Sequence, residues 1–403
     1  MKKLAIIISH PIQYYVPIFR LLAKQCELKV FYTWGRSGIA VKYDPDFGKT
    51  FEWDVPLLDG YNYELLENTA KDPGSHHGKG IINPNILTRI EDFSPNVILV
   101  YGYIYQSHFK VMRYFKGKIP IWFRGDSTLL DHQSAFKSIL KKIYLKWVYS
   151  FVDKAFYVGT NNKTYFKAYG LKESQLFFAP HAIDNERFAE NRKEEAEALR
   201  SRLGINKKDL LILFAGKLEQ KKNPTLLLDA FIKLNQLKTK NDQRSTTNDQ
   251  ATIHLLFVGN GILETELKQK ASNEQQLTRE KKGKTKNIHF MDFQNQSQMP
   301  VIYQACNIFC LPSQGPAETW GLAINEAMAA GKAIIASNKV GCAIDLVKED
   351  LNGKIFNTGD LTNLLQTLTD ILSEDINILE IESRKIISAW NFDKQVKTII
   401  NEF

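Results

Sequence analysis

Glu318 and Glu326, with seven residues between them, and two lysines, Lys217 and Lys222, point together to one kind of chemistry in this 403-residue chain. Carboxylates accept hydrogen bonds from sugar hydroxyls, and ammonium groups neutralise phosphate. A phosphate leaving group gains charge as its bond breaks, so a site that releases one needs fixed positive charge there. The lysines stand in FAGKLEQKKNP (214–224), where a buried strand ends and the next helix opens. The glutamates stand in LPSQGPAETWGLAINEAMAAGKAIIA (311–336), one in the approach to a helix and one on it. Glu326 has Ala323, Ile324, Ala327 and Met328 as neighbours, a setting in which an acid is costly unless partnered. This is the layout of a nucleotide-sugar site.

The elements that must hold these groups are legible around them. A buried strand, Ile308–Leu311, leads into a Pro/Gly-broken loop, and a small-residue helix is expected over 322–330, with Gly331 after it and a second apolar run at Ala333–Ala336. The backbone N–H groups from Gly321 to Ala323 have no intrahelical acceptor, so the helix start offers donors and a positive dipole end to a phosphate. Ala327, Ala329, Ala330 and Gly331 let the helix lie close against a sheet. Upstream, Leu4–Ser9, Leu28–Tyr32, Asn96–Tyr101, Ile119–Phe123 and Ala155–Val158 read as buried strands, with helices over Val16–Lys24 and His132–Phe151. The stretch Thr33–Gly80 reads as a long loop with short strands. Downstream, a charged helix is expected over Glu186–Leu203, strands at Leu210–Ala215, Ile253–Val258, Asn287–Met291 and Gly353–Phe356, and helices over Asn223–Leu237, Ile262–Ala271 and Leu361–Leu372. Two polar tracts, Lys238–Gln250 and Ser272–Lys286, read as flexible surface insertions. Strand, loop and helix in repeated order predict doubly wound α/β domains.

Length allows two domains of ordinary size, and 44% apolar with 24% charged residues fits a globular chain. No apolar run is long enough to span a bilayer. Cys26, Cys306, Cys310 and Cys342 show no C-x-x-C spacing and are expected as reduced thiols, consistent with a cytoplasmic location, with Cys306 and Cys310 in a buried apolar role rather than a metal pair. The net charge of +9 is uneven: residues 1–185 hold 24 Lys and Arg against 16 Asp and Glu, whereas the remainder holds 29 against 28. An anionic partner is therefore expected for the first half. Nucleic acid is not expected, because zinc-finger spacing, RNP motifs and long basic blocks are missing. The segment 132–151 carries Lys137, Lys141, Lys142 and Lys146 with no acid, interleaved with large apolar residues. It reads either as a helix lying on an anionic membrane at its inner face, or as a core-facing helix with solvated lysines. His76-His77 reads as a solvated loop rather than a metal site, and Asp44-Pro45-Asp46, the only D-x-D, as a turn.

E-T-W-G-L-A-I-N-E-A-M-A-A-G-K resembles the E-x7-E signature of family 4 retaining glycosyltransferases. F-A-G-K-L-E-Q-K-K-N-P resembles that family's G-R-L-x-x-x-K-G element, and F-V-G-N-G (257–261) its second strand and turn. S-H-P-I-Q-Y-Y (9–15) and F-R-G-D-S (123–127) resemble a bacterial branch of it. The resemblance implies two Rossmann-like doubly wound domains facing a central cleft (GT-B): an acceptor domain over 1–183, a nucleotide-sugar domain over 184–385, and a C-terminal helix over 386–403 returning to the first. It implies that Glu326 bonds ribose hydroxyls, that Glu318 meets the donor sugar, and that the backbone of Trp320, Gly321 and Leu322 holds the distal phosphate. Gly216, Gly259, Phe293 and Thr319 complete the expected donor site; the segment Phe290–Phe293 either borders the base or is an ordinary strand end.

Lys217 stands where the family usually has Arg, which removes the bidentate fork. His10 and Gln13 follow the first strand at the sheet's carboxyl edge and are expected at the acceptor, His10 otherwise capping a turn. Arg124 takes the place of a His that in the family touches the donor sugar. Asp126 either accepts the acceptor's proton or holds Arg124 in an ion pair, and the leaving phosphate is the other candidate base. Lys217, Lys222, Glu318, Arg124 and Asp126 are thus the candidate catalytic residues. No metal and no cofactor is expected, the nucleotide-diphosphate sugar being substrate and a glycan or lipid-linked molecule the acceptor. The rivals are a sugar-nucleotide epimerase on the same plan and a non-catalytic nucleotide-sugar-binding scaffold.

Overall fold

The computed structural model describes residues 1–39, 42–44, 49–131, 135–242, 251–282 and 287–403. The chain divides into two compact units, one of Met1–Val41, Val55–Asp184 and Trp390–Phe403, the other of Lys42–Asp54 and Asn185–Ala389. In chain order the strands are β1 (Lys3–Ile8), β2 (Glu27–Tyr32), β3 (Lys42–Asp44), β4 (Lys49–Phe51), β5 (Asn62–Leu65), β6 (Val97–Tyr101), β7 (Ile121–Arg124), β8 (Lys154–Tyr157) and β9 (Leu176–Phe178). They continue as β10 (Leu210–Ala215), β11 (Ile253–Val258), β12 (Ile288–Met291), β13 (Ile308–Leu311), β14 (Ala333–Ser337) and β15 (Gly353–Phe356).

The first unit holds a seven-stranded sheet in the order β5-β2-β1-β6-β7-β8-β9, every neighbouring pair parallel. The second holds a six-stranded parallel sheet, β12-β11-β10-β13-β14-β15. Parallel strands covered by helices on both faces must be apolar on both sides, which explains the continuous runs LAIII, VILVY, LLILFA and IHLLFV. In each sheet the order runs outward one way through three strands and then reverses, so each is doubly wound. The reversal lies between β1 and β6 in the first unit and between β10 and β13 in the second. Such sheets bind ligands beyond the carboxyl ends of the strands at that reversal. Two apolar layers sandwich the first sheet, one around Phe31, Ile98 and Phe123, the other around Ile6, Phe19 and Trp122. In the second unit Ile212, Phe214, Leu255 and Phe257 pack under the helices Pro224–Asp242 and Leu361–Ile371.

Several expectations need correction. The helix expected over Glu186–Leu203 is two, Asn185–Ala189 and Lys193–Arg202. Between them the Arg192 N–H donates to Gln304 Oε1 (3.0 Å), a tertiary partner that takes the place of a helical one. The tract after Ala271 is not an irregular insertion where it is described: the helix runs Glu264–Lys282, and its Gln275 side chain donates to the Ile288 carbonyl. Likewise the helix after β10 extends to Asp242, while 243–250 and 283–286 lie outside the described residues. The helix placed over 132–151 spans Ala135–Tyr149, with 132–134 outside the described residues. Asp44-Pro45-Asp46 also extends into residues outside that range, its first residue ending β3. The C-terminal segment, expected as one helix over 386–403, begins its helix at Phe392, where the Asn391 side chain accepts the Lys394 N–H. A separate helix, Ile376–Ser388, precedes it.

Candidate active site

The carboxyl ends of β10, β11 and β13 carry the residues singled out in the second unit. β10 ends in a turn through Gly216 and Lys217, and β11 ends in a turn through Gly259 and Asn260. The two turns are laced together by Gly216 N–H to the Val258 carbonyl (3.0 Å) and Leu218 N–H to the Asn260 carbonyl (2.9 Å). A Cβ on Gly259 would stand 2.1 Å from the Gly216 carbonyl oxygen, so only glycine admits this approach. Asn260 knits the edge further. Its side chain accepts the Phe293 N–H (2.9 Å) and donates to Asp292 (3.1 Å) and Glu264 (2.8 Å), which fixes Phe293 beside the β11 turn. Trp53, in the part of this unit that precedes the first unit's main run, meets the Phe293 ring edge-on with centroids 6.4 Å apart.

Lys222 lies in a single 3-10 turn, Gln220–Lys222, before helix Pro224–Asp242. The loop after β13 fastens onto that turn: the Gln314 N–H donates to the Lys221 carbonyl (2.8 Å) and its side chain to the Gln220 carbonyl (2.9 Å). This brings Lys222 to Glu318, Nζ to Oε2 at 2.5 Å, although 95 residues lie between them in the chain. Ser313 Oγ donates to the same Oε2 at 2.7 Å. Glu318 is 8% exposed and tolerable there because an ammonium and a hydroxyl both reach it.

The segment after Glu318 runs against Gly341 and Cys342, whose N–H groups donate to the Glu318 and Trp320 carbonyls (3.2 and 2.9 Å). Thr319 is half-buried, with its carbonyl against Gly341. The Trp320 indole is buried and donates to Asn325 Oδ1 (2.9 Å), so this side chain supports the helix rather than facing outward. Gly321, left-handed at φ 93°, starts helix Leu322–Ala329, and no side chain caps it. Leu322 and Ala323 are partly exposed there, and their N–H groups have no intrahelical acceptor. Glu326 lies about 6 Å further along the helix axis than Leu322. It is buried, and Tyr303 Oη donates to its Oε2 at 2.8 Å. Burial, reinforced by the Glu318 charge, pushes the Cys342 thiol far above its ordinary range, and burial alone pushes the Cys310 thiol up. All four cysteines are buried free thiols.

In the first unit the Ser9 hydroxyl bonds His10 Nδ1 (2.9 Å), and the His10 ring meets Trp34 edge-on; Gln13 sits in the following turn. Arg124, expected at a sugar, is placed otherwise. It is 1% exposed, with its two amino groups donating to the Ala179 and Pro180 carbonyls (2.8 and 3.2 Å). Its position as the last residue of β7 turns the guanidinium into the interior, where it braces the chain after β9. Around it pack Tyr15, Tyr101 and His181, Tyr15 stacking on His181 at 5.7 Å. Burial, with the Arg124 charge adding, pulls the His181 pKa down to about 3, and burial pushes Tyr101 up to about 12. Asp126 is half-buried in the next loop. Among the described residues one group could hold a metal ion, Asp72, His76 and His77. They lie in an exposed loop where His77 Nε2 is 3.1 Å from Asp72 Oδ2.

Residues 195–389 match the family model described as "Glycosyl transferases group 1". The matched span contains Lys217, Lys222, Glu318 and Glu326. Among characterised proteins, the chain is 26% identical over 203 residues to D-inositol 3-phosphate glycosyltransferase of Salinispora arenicola, covering 48% of this chain and 40% of that one. It is 29% identical over 166 residues to mannosylfructose-phosphate synthase of Agrobacterium fabrum, covering 40% and 32%. The chain thus spans less than half of the length of these relatives. Among solved structures, Anabaena Alr3699/HepE in complex with UDP and glucose superposes with a TM-score of 0.68 at 15% identity, covering 100% of this chain and 99% of that one. The α,α-trehalose 6-phosphate synthase of Burkholderia multivorans gives 0.71 at 12%, covering 100% and 96%. These likenesses establish the fold, two parallel-sheet α/β domains of the GT-B kind.

Sequence reasoning missed Ser313, Asn260 and Tyr303. Ser313 had a signal, since it stands two residues after the β13 apolar run, at the edge where ligands bind. Tyr303 had none, because its bond to Glu326 crosses from one helix to another.

Proposed function

We propose that the protein is a glycosyltransferase that moves a sugar from a nucleoside-diphosphate sugar to a glycan or lipid-linked acceptor, retaining the anomeric configuration, in the synthesis of a cell-surface polysaccharide or glycoconjugate. The observation that carries the reading is the Lys222–Glu318 pair, held by Ser313 at the reversal of a doubly wound sheet, on the loop that leads into an uncapped helix tip. The donor's pyrophosphate lies against the N–H groups of Leu322 and Ala323, with Lys222 and Lys217 supplying the charge that matches the departing diphosphate. Among the described residues both bonds that the Glu318 carboxylate receives fall on Oε2, which leaves Oε1 to a hydroxyl of the donor sugar. Glu326, positioned by Tyr303, takes the ribose, and Phe293 borders a base such as the uracil of UDP. Two ammonium groups and a helix dipole neutralise the diphosphate without a divalent cation. The leaving phosphate accepts the acceptor's proton, and His10, Gln13 and Asp126 orient the acceptor.

The test is product analysis with a panel of UDP-, GDP- and TDP-sugars, with and without candidate acceptors and with chelator throughout. Acceptor-dependent transfer with the anomeric configuration kept is expected. Epimerised donor without acceptor, or no turnover of any donor, would overturn the reading.

A further inference from the structure

The helix Ala135–Tyr149 in the first unit has two apolar faces, one in the core and one largely exposed, the latter meeting the fold where Trp147 packs on Phe109 and Tyr144 on Tyr103. Leu145, Val148 and Tyr149 are buried in the core, whereas Ile139, Leu140, Ile143, Tyr144 and Trp147 are all between 45% and 65% exposed. At about 100° per residue these five cover one stripe of about 140°. Lys142 and Lys146 border the stripe on one edge, and Lys137 and Lys141 on the other. From Tyr101 to Val152 the chain carries nine Lys and Arg against two acids, Asp126 and Asp131. Arg113, on the neighbouring helix Gln106–Phe115, lies over the Trp147 ring at 5.9 Å and adds to that charge.

We infer that this stripe docks in the interface of an anionic lipid bilayer, the helix lying in the membrane plane with its lysines reaching the headgroups on both sides. Five large side chains on one turn-to-turn stripe exceed the scattered apolar exposure of an ordinary surface. A stripe edged by cations on both sides has the amphipathic form that anionic lipid rewards, apolar burial and charge acting together. A second copy of the chain is a poorer occupant, because a two-fold contact would set one helix's lysines against its partner's. No helix among the described residues is long and apolar enough to cross a membrane, so attachment by this face is peripheral. The inference stands apart from the donor site, since vesicle binding requires no turnover and either can fail alone.

Co-sedimentation of the full chain with phosphatidylcholine vesicles, with and without phosphatidylglycerol, tests it. The wild type is expected to pellet with the anionic vesicles and to retain part of that binding at high salt. The Ile139→Ser/Ile143→Ser variant removes two side chains that the core does not use, so its melting temperature is expected to match wild type while vesicle affinity falls at least tenfold. Lys142→Gln/Lys146→Gln is expected to lose at least tenfold on anionic vesicles alone. No pelleting at low salt would overturn the inference, as would equal pelleting by the serine variant, which would mean adsorption by charge only. A wild-type dimer that the serine variant dissolves would also overturn it, in favour of self-association.

Discussion

Glu318 is the residue on which most of the site's electrostatics turns, because a buried carboxylate is held by one cation and one hydroxyl. Glu318→Gln keeps its size and the Ser313 contact but removes the charge. It is expected to lower kcat/KM for transfer by about 10²–10³, as loss of a well-placed polar group at a reacting centre commonly does, with little change in melting temperature. Tyr303→Phe is different in kind. It strips one donor from the buried Glu326 carboxylate and should cost about 1–3 kcal/mol of stability in urea titration, with a higher KM for donor. A Glu318 variant that unfolds, or a Tyr303 variant as stable as wild type, would reverse these assignments. Residue types and spacing alone make Lys222 and Glu318 legible as partners in one site. The Tyr303 bond and the inward turn of Arg124 were not legible, since each depends on which way an element's end points.

The elements that present the site were largely readable, because strands buried on both faces must be continuous apolar runs and the loops beyond their carboxyl ends carry the polar residues. What escaped was helix length. The polar stretch 272–282 has no apolar spacing, yet Glu, Gln and Lys are good helix formers, and the preceding core-anchored turns supply the nucleus. Hydrogen exchange is therefore expected to show protection continuing past Ala271, decaying toward Lys282. Exchange as fast as in an unstructured peptide from Ser272 onward would contradict it. The contact between Gly341 and the Thr319 carbonyl is equally local. A Cβ there would stand 1.7 Å from that oxygen, so Gly341→Ala must displace the segment that carries Glu318 and Trp320. Activity is expected to fall at least tenfold, as about 1 Å of misplacement in a site commonly costs more.

Stability of the whole molecule should depend on pH through buried histidines. Burial holds His108 near 4 and His181 near 3, and lowers His254 in the other unit, all below the ordinary value of about 6.5. The unfolded chain therefore binds these protons first, so stability is full above about pH 6.5 and declines as pH falls, by up to about 1.4 kcal/mol per pH unit for each histidine. Melting curves between pH 7 and 5, a window fixed by those values, should shift steadily downward; a flat profile would show the histidines free to protonate in place. The first unit also depends on the chain's last helix, Phe392–Asn401, where Val396 and Ile399 are buried and Thr398 donates to the Phe178 carbonyl at 3.0 Å. Ile399→Ala should cost about 2–5 kcal/mol in chemical denaturation.

Calorimetric titration of wild type and Lys222→Gln with UDP, GDP and TDP decides whether Lys222 grips a nucleoside diphosphate. At least one diphosphate should bind the wild type, and the same one should bind Lys222→Gln at least tenfold more weakly, with the variant's fold intact. Equal affinity of the two proteins for every diphosphate, or no binding of any to the wild type, would contradict the account.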